Sequence, residues 1–333
     1  MSIRPAARLL SLIALAGCAE TAAPLGPPPA PPSLLDEDDT WAMVPAEADL
    51  VLWANLARVR ESPWTRESLM RLSQETSVDD PGFDQVADVD RLLYAKVPAL
   101  ADSATILIVQ GRFDRDRLGK AFERKGGPVQ RSSYRTADLL VRGEEALAMI
   151  GRRTVLSGMT VVVRAAIDCN VGTARNIESE AWLAGLRKDL SKDKGIVPAV
   201  ALYVHLQPAT RETLLREMGE GGTLEDFGAH VDLDHDLDVT GVGMVPSPQE
   251  ALDLAARLSD RIRELRNRPI IAAFGLGTVL DSLRVAAKDT RVRAAVHVSQ
   301  RDRAEILERM AVVADMLAKM RKDKDPAAGK EKQ

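Results

Sequence analysis

The run from His230 to Asp238 is the first stretch of the sequence whose side chains could bind a metal ion. It reads HVDLDHDLD. If the run is one extended strand, its histidine and its four aspartates share one face, because successive strand residues point to opposite faces. Carboxylate oxygens are the ligands that Ca²⁺ prefers. The aspartates are Asp232, Asp234, Asp236 and Asp238.

The spacing of the run also allows a simpler interpretation. Neighbours on one face of a strand lie about 7 Å apart, which is too far for several of them to hold one ion. A calcium loop curls around its ion and usually contains a glycine, and none lies inside the run. We therefore interpret the aspartates as the solvated face of a long strand from His230 to Met244, and we keep calcium binding as the alternative. The inward residues would be Val231, Leu233, Leu237 and Val239.

Three histidines form a second candidate metal site. His205, His235 and His297 all fall in predicted strands, and His235 falls on the inward side, where it should be partly buried. The three, or two of them with Asp232 or Asp234, could converge as metal ligands. Such a site would make the chain a metal-dependent hydrolase.

The remaining residues contain no recognisable catalytic motif. Gly275-Leu-Gly277 is too short for a dinucleotide fingerprint. After Cys18, Cys169 is the only cysteine, and we interpret it as a half-buried small apolar residue. We therefore predict no catalytic residue, no cofactor and no enzyme activity. The net charge of −4 argues against a nucleic-acid partner, because such partners require neutralisation of phosphates.

The elements that would position these residues occur in the same order twice. Strand, helix, strand, helix, strand meander and helix are predicted over 49–168 and again over 199–320. The predicted boundaries are a first unit at 41–190, a linker at 191–198, a second unit at 199–320 and a disordered charged tail at 321–333.

This alternation of amphipathic strands and helices predicts an α+β fold. We expect two related units, each a mostly antiparallel sheet with helices packed on one face. The clearest helix begins at Ser247-Pro248-Gln249-Glu250, a capping box with proline at the first helical position. The clearest hairpin returns along Arg291 to Val298.

The N-terminus has the composition of an export signal. Arg4 and Arg8 precede an apolar run of eight residues, Leu9 to Ala16. A helix needs about 20 apolar residues to cross a bilayer, so this run is too short. Its end, Leu15-Ala16-Gly17-Cys18, resembles the lipobox of bacterial lipoproteins.

That resemblance implies removal of a signal peptide at 1–17 and acylation of Cys18. A proline-rich tether at 18–40 would follow. Ala19 then favours the outer membrane, periplasmic face, over the inner membrane or the cell surface. An ordinary secretory signal with cleavage after Ala19 or Ala22 is the alternative.

The body of the chain also resembles a family, the uncharacterised Gram-negative envelope lipoproteins. It carries their VPA-x-ADL pattern at Val44 to Leu50 and their T-x-L-x-G…V-x-A-A-I pattern at Thr154 to Ile167. The resemblance implies a duplicated α+β unit. It carries over no functional residue, because no activity is assigned to such proteins.

The sequence therefore predicts a membrane-anchored envelope lipoprotein with a non-enzymatic binding or architectural role. Its partners would be the membrane, through the lipid, and an envelope protein. One alternative is a periplasmic carrier of an apolar ligand, which requires an enclosed apolar cavity of several hundred Å³. The other is the metal-dependent hydrolase.

Overall fold

A computed structural model describes most of the chain beyond the predicted tether. The described residues are 39–66, 83–84, 87–101, 104–124, 126–135, 137–191, 197–208, 211–212, 224–269, 271, 276–306 and 308–309. The predicted signal peptide, Cys18, residues 192–196 of the predicted linker and the predicted tail at 321–333 lie outside them. In the described part of the chain, no helix combines the length and the apolar character that crossing a membrane would need.

Twelve strands form one antiparallel sheet. They are β1 Leu50–Asn55, β2 Val89–Lys96, β3 Thr105–Gly111, β4 Gln130–Tyr134, β5 Ala137–Arg142, β6 Glu145–Ile150, β7 Thr154–Met159, β8 Val200–His205, β9 Asp226–Asp232, β10 Leu237–Met244, β11 Arg284–Lys288 and β12 Arg291–Val298. Their order across the sheet is β11-β12-β10-β9-β8-β1-β2-β3-β7-β6-β5-β4.

Within the described ranges, six α-helices with defined bounds pack against this sheet or its ends. They are α1 Leu56–Glu61, α2 Arg115–Arg124, α3 Thr160–Asn170, α4 Ala181–Ser191, α5 Pro248–Arg266 and α6 Gly277–Ser282. Short 3₁₀ turns lie at Trp41–Met43 and Ile177–Ser179, and residues 300–306 are helical. The predicted start of α5 is present: the Ser247 hydroxyl accepts from the Glu250 N–H at 3.3 Å, with Pro248 at the first turn.

The α+β fold class is confirmed, and the two units share one sheet. β1 to β7 form one half and β8 to β12 the other, and the halves meet where β1 pairs with β8. The step from β3 to α2 corresponds to the step from β10 to α5, and the β6–β7 hairpin corresponds to β11–β12. Each unit contains one strand more than predicted at the same place, because β2 precedes β3 and β9 precedes β10.

The helices divide between the two faces of the sheet, whereas the sequence analysis placed them on one. Leu139 packs in the core cluster under α3 and α4, while its neighbour Leu140 packs with Leu118 and Phe122 of α2. Because adjacent strand residues point to opposite faces, α3 and α4 cover one face and α2 the other. The same alternation of strand residues places α1 and α5 on the face that α2 covers. Because these strands carry apolar side chains on both faces of the sheet, helices must pack on both faces to bury them.

Helix α4 ties the two units together. It lies before the predicted linker, yet it packs on β8, β9 and β10 of the second unit. Gly228 allows this close approach, since a β-carbon there would lie 2.8 Å from Cδ1 of Leu190. The two units are therefore joined both by the β1–β8 pair and by α4.

Candidate functional site

A cleft of about 620 Å³ lies where the end of β8 meets the start of α4. It is open to solvent, and most of its walls come from loops at this end of the sheet. Its lining residues are Ala46, Glu47, Ala48, Pro98, Ala99, Arg175, Glu180, Trp182, His205 and Gln207. This lining combines one large aromatic surface with charged and polar groups.

His205 is the fixed centre of the cleft. It is the last residue of β8 and pairs directly with Asp226, the first residue of β9. Its Nδ1 lies 2.6 Å from Oδ1 of Asp226, and its ring stacks on Trp182 with centroids 5.5 Å apart. A carboxylate only accepts hydrogen bonds, so Nδ1 carries the proton and donates it. The hydrogen bond to Asp226 and the stacking on Trp182 therefore fix the orientation of the His205 ring without a ligand.

The rim of the cleft is charged. Arg175 forms an ion pair with Glu180, and Glu47 is exposed on the neighbouring segment, where the Ala46 N–H donates to the Arg175 carbonyl. The side chains that line the cleft, as far as the structure describes them, include no hydroxyl, thiol or amine nucleophile. This arrangement places charged and polar groups around an aromatic surface, which suits binding of a polar group.

A buried carboxylate lies behind the cleft wall. Asp49 follows Ala48 of the lining, and its carbonyl accepts the His205 N–H at 2.7 Å. Burial raises the pKa of Asp49, although Lys96, with Nζ 3.9 Å from Oδ2, opposes the shift. Its Oδ1 atom is buried with no hydrogen-bond partner among the described residues.

A second polar cluster stabilises the region where the predicted tether joins the folded part of the chain. The Tyr203 hydroxyl donates to Nε2 of His230 at 2.6 Å, and the Trp41 ring packs edge-on against Tyr203. The guanidinium of Arg187 lies 3.9 Å from the Trp41 ring centroid. Burial, with a smaller effect from Arg187, lowers the pKa of His230 to about 4. His230 is therefore neutral near pH 7.

The run from His230 to Asp238 is not one strand, so the predicted strand from His230 to Met244 is wrong. β9 ends at Asp232, residues 233–236 turn, and β10 begins at Leu237, which places Asp232 opposite Asp238. Leu233 and Leu237 both pack on the α1 side, so the apolar alternation continues across the turn. That continuity is why the pattern predicted a single strand.

The four aspartates of the run pair with side chains of the protein itself. Arg58 donates to Asp234 at 2.8 Å and to Asp232 at 3.2 Å. On the other side, His297 Nδ1 lies 2.8 Å from Asp238, and its Nε2 lies 3.8 Å from Asp236. Within the ranges that the structure describes, no group of three or more His, Cys, Asp or Glu side chains could hold a metal ion. The calcium interpretation is not supported.

The three candidate histidines do not converge. His205 lies at the Asp226 end of β9, whereas His297 lies at the Asp238 end of β10. These are opposite ends of one strand pair, about 20 Å apart. His235 is exposed in the turn instead of facing inward. The alternative in which these histidines converge is not supported, and the predicted partial burial of His235 is wrong.

Cys169 is a buried free thiol. Its Sγ donates to the carbonyl of Arg175 at 3.2 Å. Burial raises the pKa of the thiol to about 11, so little thiolate is present near pH 7. The residue has the surroundings of an inert core cysteine.

These features define an α+β protein in which two related units share a twelve-stranded antiparallel sheet with a polar cleft at one end. No protein-family model and no curated protein matches the chain. Among solved structures, the chain is similar to TP0453. Crystal form III of TP0453 is 12% identical, with a TM-score of 0.52, covering 82% of this chain and 98% of that one. Crystal form IV is 11% identical, with a TM-score of 0.50, covering 83% and 97%. Likeness at this identity shows a shared fold.

Proposed function

We propose that the chain is a membrane-anchored envelope lipoprotein that binds a polar ligand, or a polar segment of an envelope partner, without transforming it. The observation that carries the binding role is the prearranged set of Trp182, His205 and Asp226 in an open cleft. The lipobox pattern ending at Cys18 supports the anchor. The outer membrane, periplasmic face, is the proposed location.

The lining of the cleft favours a polar ligand over an apolar one. A carrier of an apolar ligand needs an enclosed apolar cavity between sheet and helices. The cleft is open, and Glu47, Arg175 and Glu180 stand around its aromatic surface. A ligand with hydrogen-bonding groups around a flat face would satisfy these side chains.

The anchor is tested by replacing Cys18 with serine. We expect the wild type to take up a labelled fatty acid and to sediment with outer membranes, because acyl chains on the cysteine sulfur provide the attachment. The Cys18→Ser variant should carry no label and should leave the outer-membrane fraction. Cys169→Ser is the matched control and should behave as the wild type. If Cys18→Ser sediments with outer membranes as the wild type does, the anchor is wrong.

The cleft is tested by replacing Trp182 with alanine. Protein extracted from its own membranes in mild detergent should carry a bound mass in native mass spectrometry. Trp182→Ala should reduce the affinity for that ligand about fivefold and lower its occupancy, since stacking contributes about 1 kcal/mol. Trp64→Ala is the control, because Trp64 lies against Arg303 on the α1 side of the sheet. Equal occupancy in all three proteins would place the ligand elsewhere, and a wild type without a bound mass would contradict the binding role while leaving the anchor intact.

A further inference from the structure

The outer strands of the second unit carry a concentration of positive charge on the face that α3 and α4 cover elsewhere. Val285 and Val292 pack with α5 on the opposite face. Because strand residues alternate, their neighbours point to the α3–α4 side. We call this surface the basic strand face and define it by Arg284, Lys288, Arg291 and Arg293.

Two of these four cations, Arg284 and Lys288, have no carboxylate partner in the described part of the chain. Asp189 of α4 binds Arg291, and its carbonyl accepts from Arg293 at 3.3 Å. Arg284 donates only to backbone carbonyls in its own turn, and it pairs with no carboxylate of the described chain. Lys288 is exposed and, within the same residues, likewise has no acidic partner. The face is therefore positive on a chain whose net charge is −4.

The corresponding face of the first unit is covered. There the chain leaves β7 and enters α3, which packs across it. After β12 the chain turns the other way: the Gln300 N–H donates to Asp236 at 3.0 Å, and Arg303 lies 5.4 Å from the Trp64 ring on the α1 side. Over the residues that the structure describes, no second-unit equivalent of α3 covers the basic strand face.

We propose that the basic strand face docks on anionic lipid headgroups of the membrane to which the N-terminal lipid ties the chain, an inference that rests on the proposed anchor. Arg291 and Arg293 lie about 7 Å apart along β12, and Lys288 lies about 5 Å across from Arg291. Arg284 lies about 13 Å from Lys288 along β11, so the four cations form a planar array rather than a pocket for one anion. β11 ends the sheet, so the array lies at an outer margin. An anchored domain meets headgroups at a high effective concentration, so weak contacts suffice.

The acidic end of the predicted tether does not cancel this attraction. Asp39 adjoins Trp41, which packs on Tyr203 of β8. Four strand spacings separate β8 from β11, a distance of about 19 Å. That is roughly twice the Debye length at physiological salt, so the two charged regions act on the membrane separately.

The test is the reactivity of Lys288 in the full-length lipidated protein. The protein is reconstituted on vesicles of phosphatidylcholine alone, or of phosphatidylcholine mixed with phosphatidylglycerol, and lysine acetylation rates are measured by mass spectrometry. We expect acetylation of Lys288 to slow at least fivefold on the anionic vesicles only, and the protection to disappear in about 1 M salt, where the Debye length is about 3 Å. Lys120, exposed on α2 across the sheet, is the internal control and should react equally on both vesicles.

A charge-removing variant makes the assignment specific. Arg284→Gln should reduce the protection of Lys288 about fivefold, which is the contribution of one cation near an anionic surface. The matched variant Lys120→Gln should leave it unchanged. Equal reactivity of Lys288 on both kinds of vesicle would overturn the proposal.

Flotation separates the anchor from the docking face. Flotation with phosphatidylcholine vesicles in high salt depends on the lipid alone, so its loss would overturn the anchor. Lys288 protection on anionic vesicles depends on the face alone. Protein that floats with neither kind of vesicle contradicts both proposals.

Discussion

Replacing Gly158 with alanine is expected to destabilise the protein by about 3 kcal/mol. Gly158 lies in β7, beside Ile106 of β3. A β-carbon at this position would lie 2.3 Å from the carbonyl oxygen of Thr105, which is a backbone atom and cannot rotate away. The two strands would have to separate in the middle of the first unit, above the main core.

The measurement is chemical denaturation of the wild type and the variant, with thermal melting as a second readout. The melting temperature should fall by roughly 6–12 °C. Gly185→Ala is the control: Gly185 lies in α4 with nothing within 4 Å of its added β-carbon, so alanine should stabilise the helix by up to about 1 kcal/mol. A Gly158→Ala variant as stable as the wild type would mean that β3 and β7 do not approach as closely as described.

Replacing Arg291 with methionine is the second change with a large expected effect, about 3 kcal/mol of lost stability. Its partner Asp189 has a side chain that is only 5% exposed, so removal of the guanidinium leaves a buried carboxylate without its main counter-charge. This pair joins α4, which precedes the predicted linker, to β12 of the second unit. The loss should therefore weaken the contact between the two halves of the chain.

A double variant separates the loss of the pair from the loss of packing. Asp189→Leu together with Arg291→Met should recover at least half of the lost stability, because replacing both partners by apolar groups leaves no buried charge. Arg263→Met is the control, since Arg263 and Asp260 of α5 are 73% and 63% exposed and should contribute less than about 1 kcal/mol. If Arg291→Met alone is as stable as the wild type, the pair does not hold α4 on the second unit.

The local signals in the sequence were sufficient for several elements of the fold. Ser247 and Pro248 located the start of α5, because a side-chain acceptor followed by proline has few other uses. The alternation in Arg291 to Val298 identified β12 and assigned its two faces. The glycine of the T-x-L-x-G pattern, Gly158, now has a physical reason in its contact with Thr105.

The same error occurred in both units. One strand was predicted where the structure has two, at β2–β3 and at β9–β10. In β9–β10 the apolar period continued through the turn, so periodicity alone could not detect the reversal. In β2 the charged residues Asp90, Arg91 and Lys96 concealed a strand whose Leu93 and Ala95 are fully buried. Burial by neighbouring strands is a tertiary effect, and the local hydrophobic periodicity of the sequence does not predict it.

The cleft was only partly predictable. His205 was a candidate, but for a metal site that does not form. Trp182 and Asp226 lie about 20 residues from it in sequence, and they reach it only through the packing of α4 and the register of β8 with β9. The predicted strand began at His230, so no strand signal in the sequence pointed to Asp226, which the structure places at the start of β9.

The pairing of β1 with β8 has a consequence for how the chain folds as it is made. Leu50 of β1 lies opposite Val204 of β8, so about 150 residues must emerge before the central pair can close. Until then the first half exposes an unprotected strand edge, which invites pairing with other chains. Helix α4 likewise cannot pack until β8, β9 and β10, which it covers, have been made. Folding of this protein therefore depends on keeping its early half apart from other chains until its late half has been made, a task that suits a chaperone.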